Sequence, residues 1–155
     1  MKKNLNLCLY SLILLALLNC RDKEDNKAET IINSNFDYTI LKGGKYVFDD
    51  PNFKKDNIRV LYLKNGEWKE YYEYNLDAKY GYFFYNRENH TYIRLFPTDY
   101  DKDGIENLKI KYDETTTDDI KAEFSYRENS ETLTKIWYNG KEFTNPTSSA
   151  FTIEK

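Results

Sequence analysis

Residues 58–74 read IRVLYLKNGEWKEYYEY. Two apolar and aromatic runs, 58–63 and 68–74, flank the pair Asn65-Gly66. Both residues of an Asn-Gly pair tolerate φ > 0, as the two central positions of a type I′ turn require, so the stretch predicts a β-hairpin.

The same grammar extends in both directions. Phe36, Tyr38 and Ile40 alternate with polar residues, and Gly43-Gly44 separates them from Tyr46, Val47 and Phe48. Runs 82–85 and 91–96 flank residues 86–90, and runs 108–112 and 120–126 flank an acidic, threonine-rich loop. Run 132–138 leads into a second Asn-Gly pair at Asn139-Gly140, then 141–143, and a last run spans 151–153. These make nine or ten short strands without a helix, hence an all-β fold. Short connections favour an antiparallel meander, which hides its edges either as a β-sandwich or as a partly open up-and-down barrel. The interruptions at 49–56 and 144–149 are expected places for a change of sheet, which favours the sandwich. Trp68 and Trp137 each lie near an Asn-Gly turn, and at least one is expected in the sheet interior.

The start of the chain obeys other rules. Lys2 and Lys3 precede a mostly apolar run, 7–18, that is shorter than the ~20 residues a bilayer-spanning helix needs. Leu17, Leu18 and Asn19 then precede Cys20, and charge begins at Arg21. This pattern resembles a bacterial lipobox of the relaxed, spirochaete type, with Asn19 where most lipoboxes carry Gly, Ala or Ser. The resemblance implies that residues 1–19 are a lipoprotein signal peptide, and that Cys20 becomes an acylated first residue in the bilayer. Its expected place is the cell envelope, on the outer membrane. The resemblance also implies a diacylglycerol on the Cys20 sulfur and a third acyl chain on its α-amine; two chains suffice for stable anchoring at ~0.8 kcal/mol per buried CH₂, so three hold firmly.

Removing the leader also removes Cys8, which leaves one sulfur and no means of forming a disulfide or a thiolate zinc site. Residues 20–35 are then the acylated cysteine and a flexible tether, polar and of mixed charge, and 36–155 form a single β-rich domain. A domain of that size buries enough surface to stand without staples. Loss of Lys2 and Lys3 leaves 21 basic against 26 acidic residues, a net charge of −5. Such a chain has no electrostatic reason to bind nucleic acid.

Aromatic content is the outlier, with 9 Phe, 2 Trp and, once Tyr10 leaves with the leader, 14 Tyr. Most belong to strands by propensity. Yet 68–74 and 79–85 place aromatics on both faces of neighbouring strands, so Trp68, Tyr72, Tyr74 and Tyr82 are the candidate binding residues. Exposed rings among charges are what recognition surfaces carry.

One segment carries metal chemistry. Asp99, Asp101, Asp103, Gly104 and Asn107 follow the order D-x-D-x-D-G-I-x-N, and alternate carboxylates on a tight loop converge on a hard cation such as Ca²⁺. The order resembles thrombospondin type 3-like calcium repeats, which implies Asp99, Asp101, Asp103 and Asn107 as ligands. Ile110 stands where an EF-hand has its bidentate Glu. The alternative is a hairpin tip of residues that form Asx-turns.

No catalytic set emerges. His90 is the one histidine, expected as an exposed residue of the 86–90 turn, and no nucleophile elbow or phosphate loop is present. The chain therefore reads as an envelope lipoprotein and not as an enzyme, with a β domain that binds a protein or glycan partner. The alternatives are a lipocalin-like carrier of a small apolar ligand, and a periplasmic inhibitor or immunity lipoprotein. Replacing Cys20 by Ser is expected to abolish incorporation of a radiolabelled fatty acid. A mutant that still took up label would move the acylation elsewhere.

Overall fold

A computed structural model describes residues 31–99 and 102–155, so the expected leader, Cys20 and most of the expected tether lie outside the described residues. The hairpin at 58–74 forms as β4 (Arg59–Lys64) and β5 (Glu67–Glu70). Asn65 at φ 53° and Gly66 at φ 77° close its turn, and left-handed pairs recur at Gly43-Gly44, Glu88-Asn89 and Asn139-Gly140. β5 is shorter than the 68–74 expected. Tyr71 is buried, its ring packed on Tyr62 at 5.2 Å between centroids, and from there the chain runs as a crossing segment to Gly81.

Two sheets face one another, and the fold is all-β. The larger, ordered β1-β10-β9-β8-β4-β5, contains β1 (Ile31–Asn33), β8 (Ile105–Lys111), β9 (Thr117–Arg127) and β10 (Ser130–Tyr138). Its member β11 (Lys141–Thr144) pairs with the second half of β10, whose first half pairs with β1. The smaller sheet runs β12-β2-β7-β6, from β2 (Phe36–Lys42), β6 (Tyr82–Arg87), β7 (His90–Leu95) and β12 (Phe151–Glu154), with β3 (Lys45–Tyr46) against β2. One of the two sheets curls into a half-barrel.

Successive strands pair within hairpins, but the chain changes sheet between them. Both expected crossings occur, one between β3 and β4 and one between β11 and β12. Two pairings are parallel, β1 on β10 and β12 on β2, which a pure meander would not contain. Val47 and Phe48, expected to extend a strand, lie in a 3-10 turn that points Phe48 into the core. Ile31–Asn33, in the segment expected as tether, is a short edge strand.

Inward residues follow period two, as in β8, where Leu108 and Ile110 are buried between the partly exposed Asn107, Lys109 and Lys111. Strand β10 breaks that period. Leu133 pairs with Phe124 and Lys135 with Glu123, so Thr134 is an extra residue, a β-bulge. Its hydroxyl donates to the Glu123 carbonyl at 3.0 Å, and its own carbonyl accepts from Asn145 N at 3.1 Å. The bulge resets the alternation, so that Leu133, Ile136 and Tyr138 all face inward. Trp137 therefore faces outward. Trp68 sits in β5, all four of whose residues are exposed. The expectation of an interior tryptophan is thus corrected, by a bulge in one strand and an edge position in the other.

Aromatic rings fill the interior. Tyr38 lies 5.3 Å from Tyr138 and 6.2 Å from Phe48, and Phe36 stacks on Tyr38 at 5.1 Å. Three buried hydroxyls meet among them. Tyr38 and Tyr112 share a 2.8 Å hydrogen bond, Tyr112 and Tyr138 one of 2.9 Å, and Tyr138 donates to the Asp118 carboxylate. Each hydroxyl has a single proton. Because Tyr138 gives its proton to Asp118, Tyr112 must donate to Tyr138, and Tyr38 to Tyr112. Asn139 Nδ2 and Lys155 Nζ complete the Asp118 shell.

Burial alone would raise the Asp118 carboxyl, but hydrogen bonds from Lys155, Tyr138 and Asn139 outweigh it and hold its pKa below the usual value. Asp37 behaves alike: burial opposes its charge, and the bonds from Arg94 Nε at 2.7 Å, Arg94 Nη2 at 2.6 Å and Tyr85 at 2.7 Å prevail.

A group with a lowered folded pKa stabilises above its unfolded value, near 3.9 for Asp, and loses that contribution as pH falls through the folded one. The urea midpoint is therefore expected to hold from pH 7 to 5 and to drop below about pH 4, less steeply in Asp118→Asn. Tyr112→Phe keeps the ring but strands its neighbours' hydroxyls, and is expected to cost about 1–3 kcal/mol at unchanged denaturant slope.

Candidate functional site

The register of the larger sheet places one row of side chains across its outer face. Trp68 of β5 pairs with Leu63 of β4, Asn107 of β8 with Lys121 of β9, and Lys121 with Trp137 of β10. Five strands at ~4.8 Å spacing set the two tryptophan positions about 19 Å apart. Between them lies an open groove of about 530 Å³, floored by Leu63, Asn107, Asp119 and Lys121 and closed at one corner by Gly140. Neither tryptophan is buried, and Trp68 is 39% exposed.

Charged side chains dress the rings. The Lys109 ammonium lies 4.7 Å from the Trp68 ring centroid, and those of Lys121 and Lys135 lie 5.0 and 5.6 Å from that of Trp137. Lys109 also meets Asp119 at 3.7 Å, and Lys135 meets Glu123 at 3.5 Å. The groove thus offers two flat aromatic walls, an amide, a carboxylate and ammonium groups. That set suits a ligand with apolar faces and a hydroxyl-rich rim.

Of the four binding residues expected from sequence, Trp68 alone lines this groove. Tyr72 and Tyr74 are 57% and 77% exposed on the crossing segment 71–81, where Tyr72 packs against Tyr80 at 5.4 Å. Gly81, at φ 77°, ends that segment against the Tyr71 ring, whose Cδ1 would stand 3.1 Å from any added Cβ. Tyr82 turns inward: it packs on Phe84 at 5.9 Å, and its hydroxyl donates to the Ile58 and Lys55 carbonyls at 3.3 Å each. Of the other groove residues, Asn107 was expected as a calcium ligand and Trp137 as one of two candidates for the interior, and Lys121 was not singled out. The signal for Trp137 was the three-residue step from Leu133 to Ile136, which a strand cannot bury at both ends without a bulge.

The acidic loop is divided. Asp99 is 2% exposed, and its Oδ2 accepts from Gly104 N at 2.7 Å and from the Tyr126 hydroxyl at 2.6 Å. Asp99 Oδ1 is buried and has no hydrogen-bond partner among the described residues. Asp103 caps Ile105 N at 2.9 Å, an Asx-turn. Asp101 lies outside the described residues. Asn107 lies on the outer face, in the groove, while Glu106 shares the inward side of β8 with Leu108. Among the described residues, no three acidic or imidazole groups gather as a metal site.

His90 begins β7 instead of sitting in the turn. Its ring stacks on Tyr46 at 3.7 Å and its Nδ1 meets Asp49 Oδ2 at 2.8 Å, while Asp49 Oδ1 accepts from Thr91 N at 2.7 Å.

Compared with family models, curated proteins and solved structures, the chain matches none.

Asn107→Ala is expected to leave the response of the melting temperature to 10 mM calcium, at constant ionic strength, where the parent has it. A calcium response lost with Asn107 would return that side chain to the loop.

Proposed function

We propose that this chain is a lipid-anchored envelope protein, held through acylated Cys20, whose β domain binds a glycan in the groove between Trp68 and Trp137. The carrying observation is the cross-strand row itself, in which the two tryptophans of the chain stand outward on either side of Asn107 and Lys121. Exposing two indoles to water is unfavourable by the ordinary logic of burial, at roughly 25 cal/mol per Å² of apolar surface. A sheet that presents them on both sides of a floor of mixed apolar and polar side chains has the chemistry of recognition. Sugar rings offer C–H faces to such walls and hydroxyls to an amide, a carboxylate and an ammonium.

The floor favours a glycan over a protein partner. Protein interfaces are depleted of charge at their centre, whereas this groove has Asp119 and Lys121 in its middle. The carrier reading asks for an apolar cavity between the sheets, and there the rings of Phe36, Tyr38, Phe48 and Tyr138 pack at 5–6 Å.

On an immobilised glycan array, the full-length protein in non-ionic detergent is expected to retain at least one class of saccharide. Trp68→Ala and Trp137→Ala should each weaken that signal about tenfold or more, as loss of an aromatic anchor does, with the melting temperature little changed. A blank array with folded protein would remove the glycan reading.

A further inference from the structure

The groove has a sign. Carboxylates on the outer face of the larger sheet are mostly engaged: Glu70 with Arg59 at 3.1 Å, Asp119 with Lys109 at 3.7 Å and Glu123 with Lys135 at 3.5 Å. Glu142, across from Trp137 on β11, lies beyond the tryptophan and outside the groove. Lys121 is different. It stands mid-row between Asn107 and Trp137, exposed, with no carboxylate partner among the described residues. Asp119 reaches the groove as well, two residues before Lys121 on the same face of β9, where it meets Lys109 at 3.7 Å and stays open to solvent.

An ammonium with no ion-pair partner among the described residues, at the centre of a groove, is unexpected on a domain with excess negative charge. Its position 5.0 Å from the Trp137 ring holds the cation beside the aromatic wall, where a ligand stacked on that wall would meet it. Lys109 and Lys135 add positive potential from either side, although each is already paired. An anionic substituent arriving at Lys121 would gain a charge-assisted hydrogen bond, roughly twice as strong as a neutral one. Neutral sugars would gain only the weaker kind.

We infer that the groove selects acidic saccharides, with Lys121 receiving a carboxylate or sulfate group while Trp68 and Trp137 hold the sugar rings. This rests on the glycan reading above and narrows it. Carboxylate and sulfate share the chemistry of a compact oxyanion on a pyranose ring, and the two sources separate experimentally. The role of Lys121 is to determine specificity, so its loss should alter the ranking of ligands more than the fold.

Both tryptophans of the chain line the groove, so intrinsic fluorescence reports its occupancy directly. The test titrates full-length protein in non-ionic detergent with a galacturonate hexamer, a heparin-derived hexasaccharide, maltohexaose and a hexaglutamate peptide. The expected result is saturable quenching by one or both acidic sugars, weakened by added salt, and little by maltohexaose. Response to the galacturonate alone assigns a carboxylate ligand, and response to the heparin fragment alone a sulfate. Lys121→Gln should weaken acidic-sugar binding about tenfold, a loss of about 1.4 kcal/mol, with Lys121→Arg retaining most of it and circular dichroism unchanged in both. Equal binding of maltohexaose, or unchanged affinity in Lys121→Gln, would overturn the inference while leaving a glycan groove. Silence from every sugar would overturn both, and binding of hexaglutamate alone would replace them with an acidic protein segment.

Discussion

The carboxylate of Asp118 is the constraint on which the architecture turns. It sits on β9 of the larger sheet and is nearly buried, yet it stays ionised because four donors aim at it or at its relay: Tyr138, Asn139, Lys155 and, through Tyr138, Tyr112. Tyr38 comes from the smaller sheet, as does Lys155, which follows β12 and anchors there by donating its backbone N–H to Leu41 O at 3.0 Å. The chain of hydroxyls therefore crosses the interior from one sheet to the other. An apolar core would be satisfied by many relative placements of two sheets. A line of single-proton donors ending on one charge has one direction and one register, so it fixes how the sheets face. Burial raises the pKa of Tyr38 and Tyr138, which keeps both as donors.

Bringing Tyr138 to that network has consequences on the opposite face. Strand β10 must point Tyr138 and Ile136 inward while keeping Leu133 inward as well, and the Thr134 bulge is the way a period-two strand accomplishes it. With the register reset, Trp137 has nowhere to go but out, onto the row shared with Lys121 and Asn107. The core and the groove are in this sense one device, linked through a single extra residue. The same row reaches Trp68 because the Asn65-Gly66 turn fixes the pairing of β5 on β4.

A groove built across five hydrogen-bonded strands is rigid at its floor and adjustable at its rim. Asn107 and Lys121 project from central strands, while Trp68 projects from the edge strand β5, where neighbours are fewer. Rigid flooring reduces what a ligand must spend on ordering its site. The proposed anchor at Cys20 would complement weak binding by confining the domain to a surface, where local concentration raises occupancy without any new contact.

Sequence by itself determined the fold class, the hairpins and two of the sheet crossings, because these depend on local properties: alternation of apolar residues, the φ > 0 tolerance of Asn-Gly and Gly-Gly pairs, and breaks in the pattern. It also singled out Trp68 as a candidate surface ring by residue type and spacing. What only the tertiary structure decided was the face each side chain takes and the company it keeps. At least one tryptophan was expected inside, but a bulge turns Trp137 outward and an edge position exposes Trp68. Tyr82 looked like surface until it closed over Ile58, and Asn107, read as part of a loop, lies on β8 with its side chain on the opposite face from Glu106. These outcomes depend on register between strands distant in the chain. A one-residue offset reverses every side chain along a strand, and no local pattern records where such an offset falls.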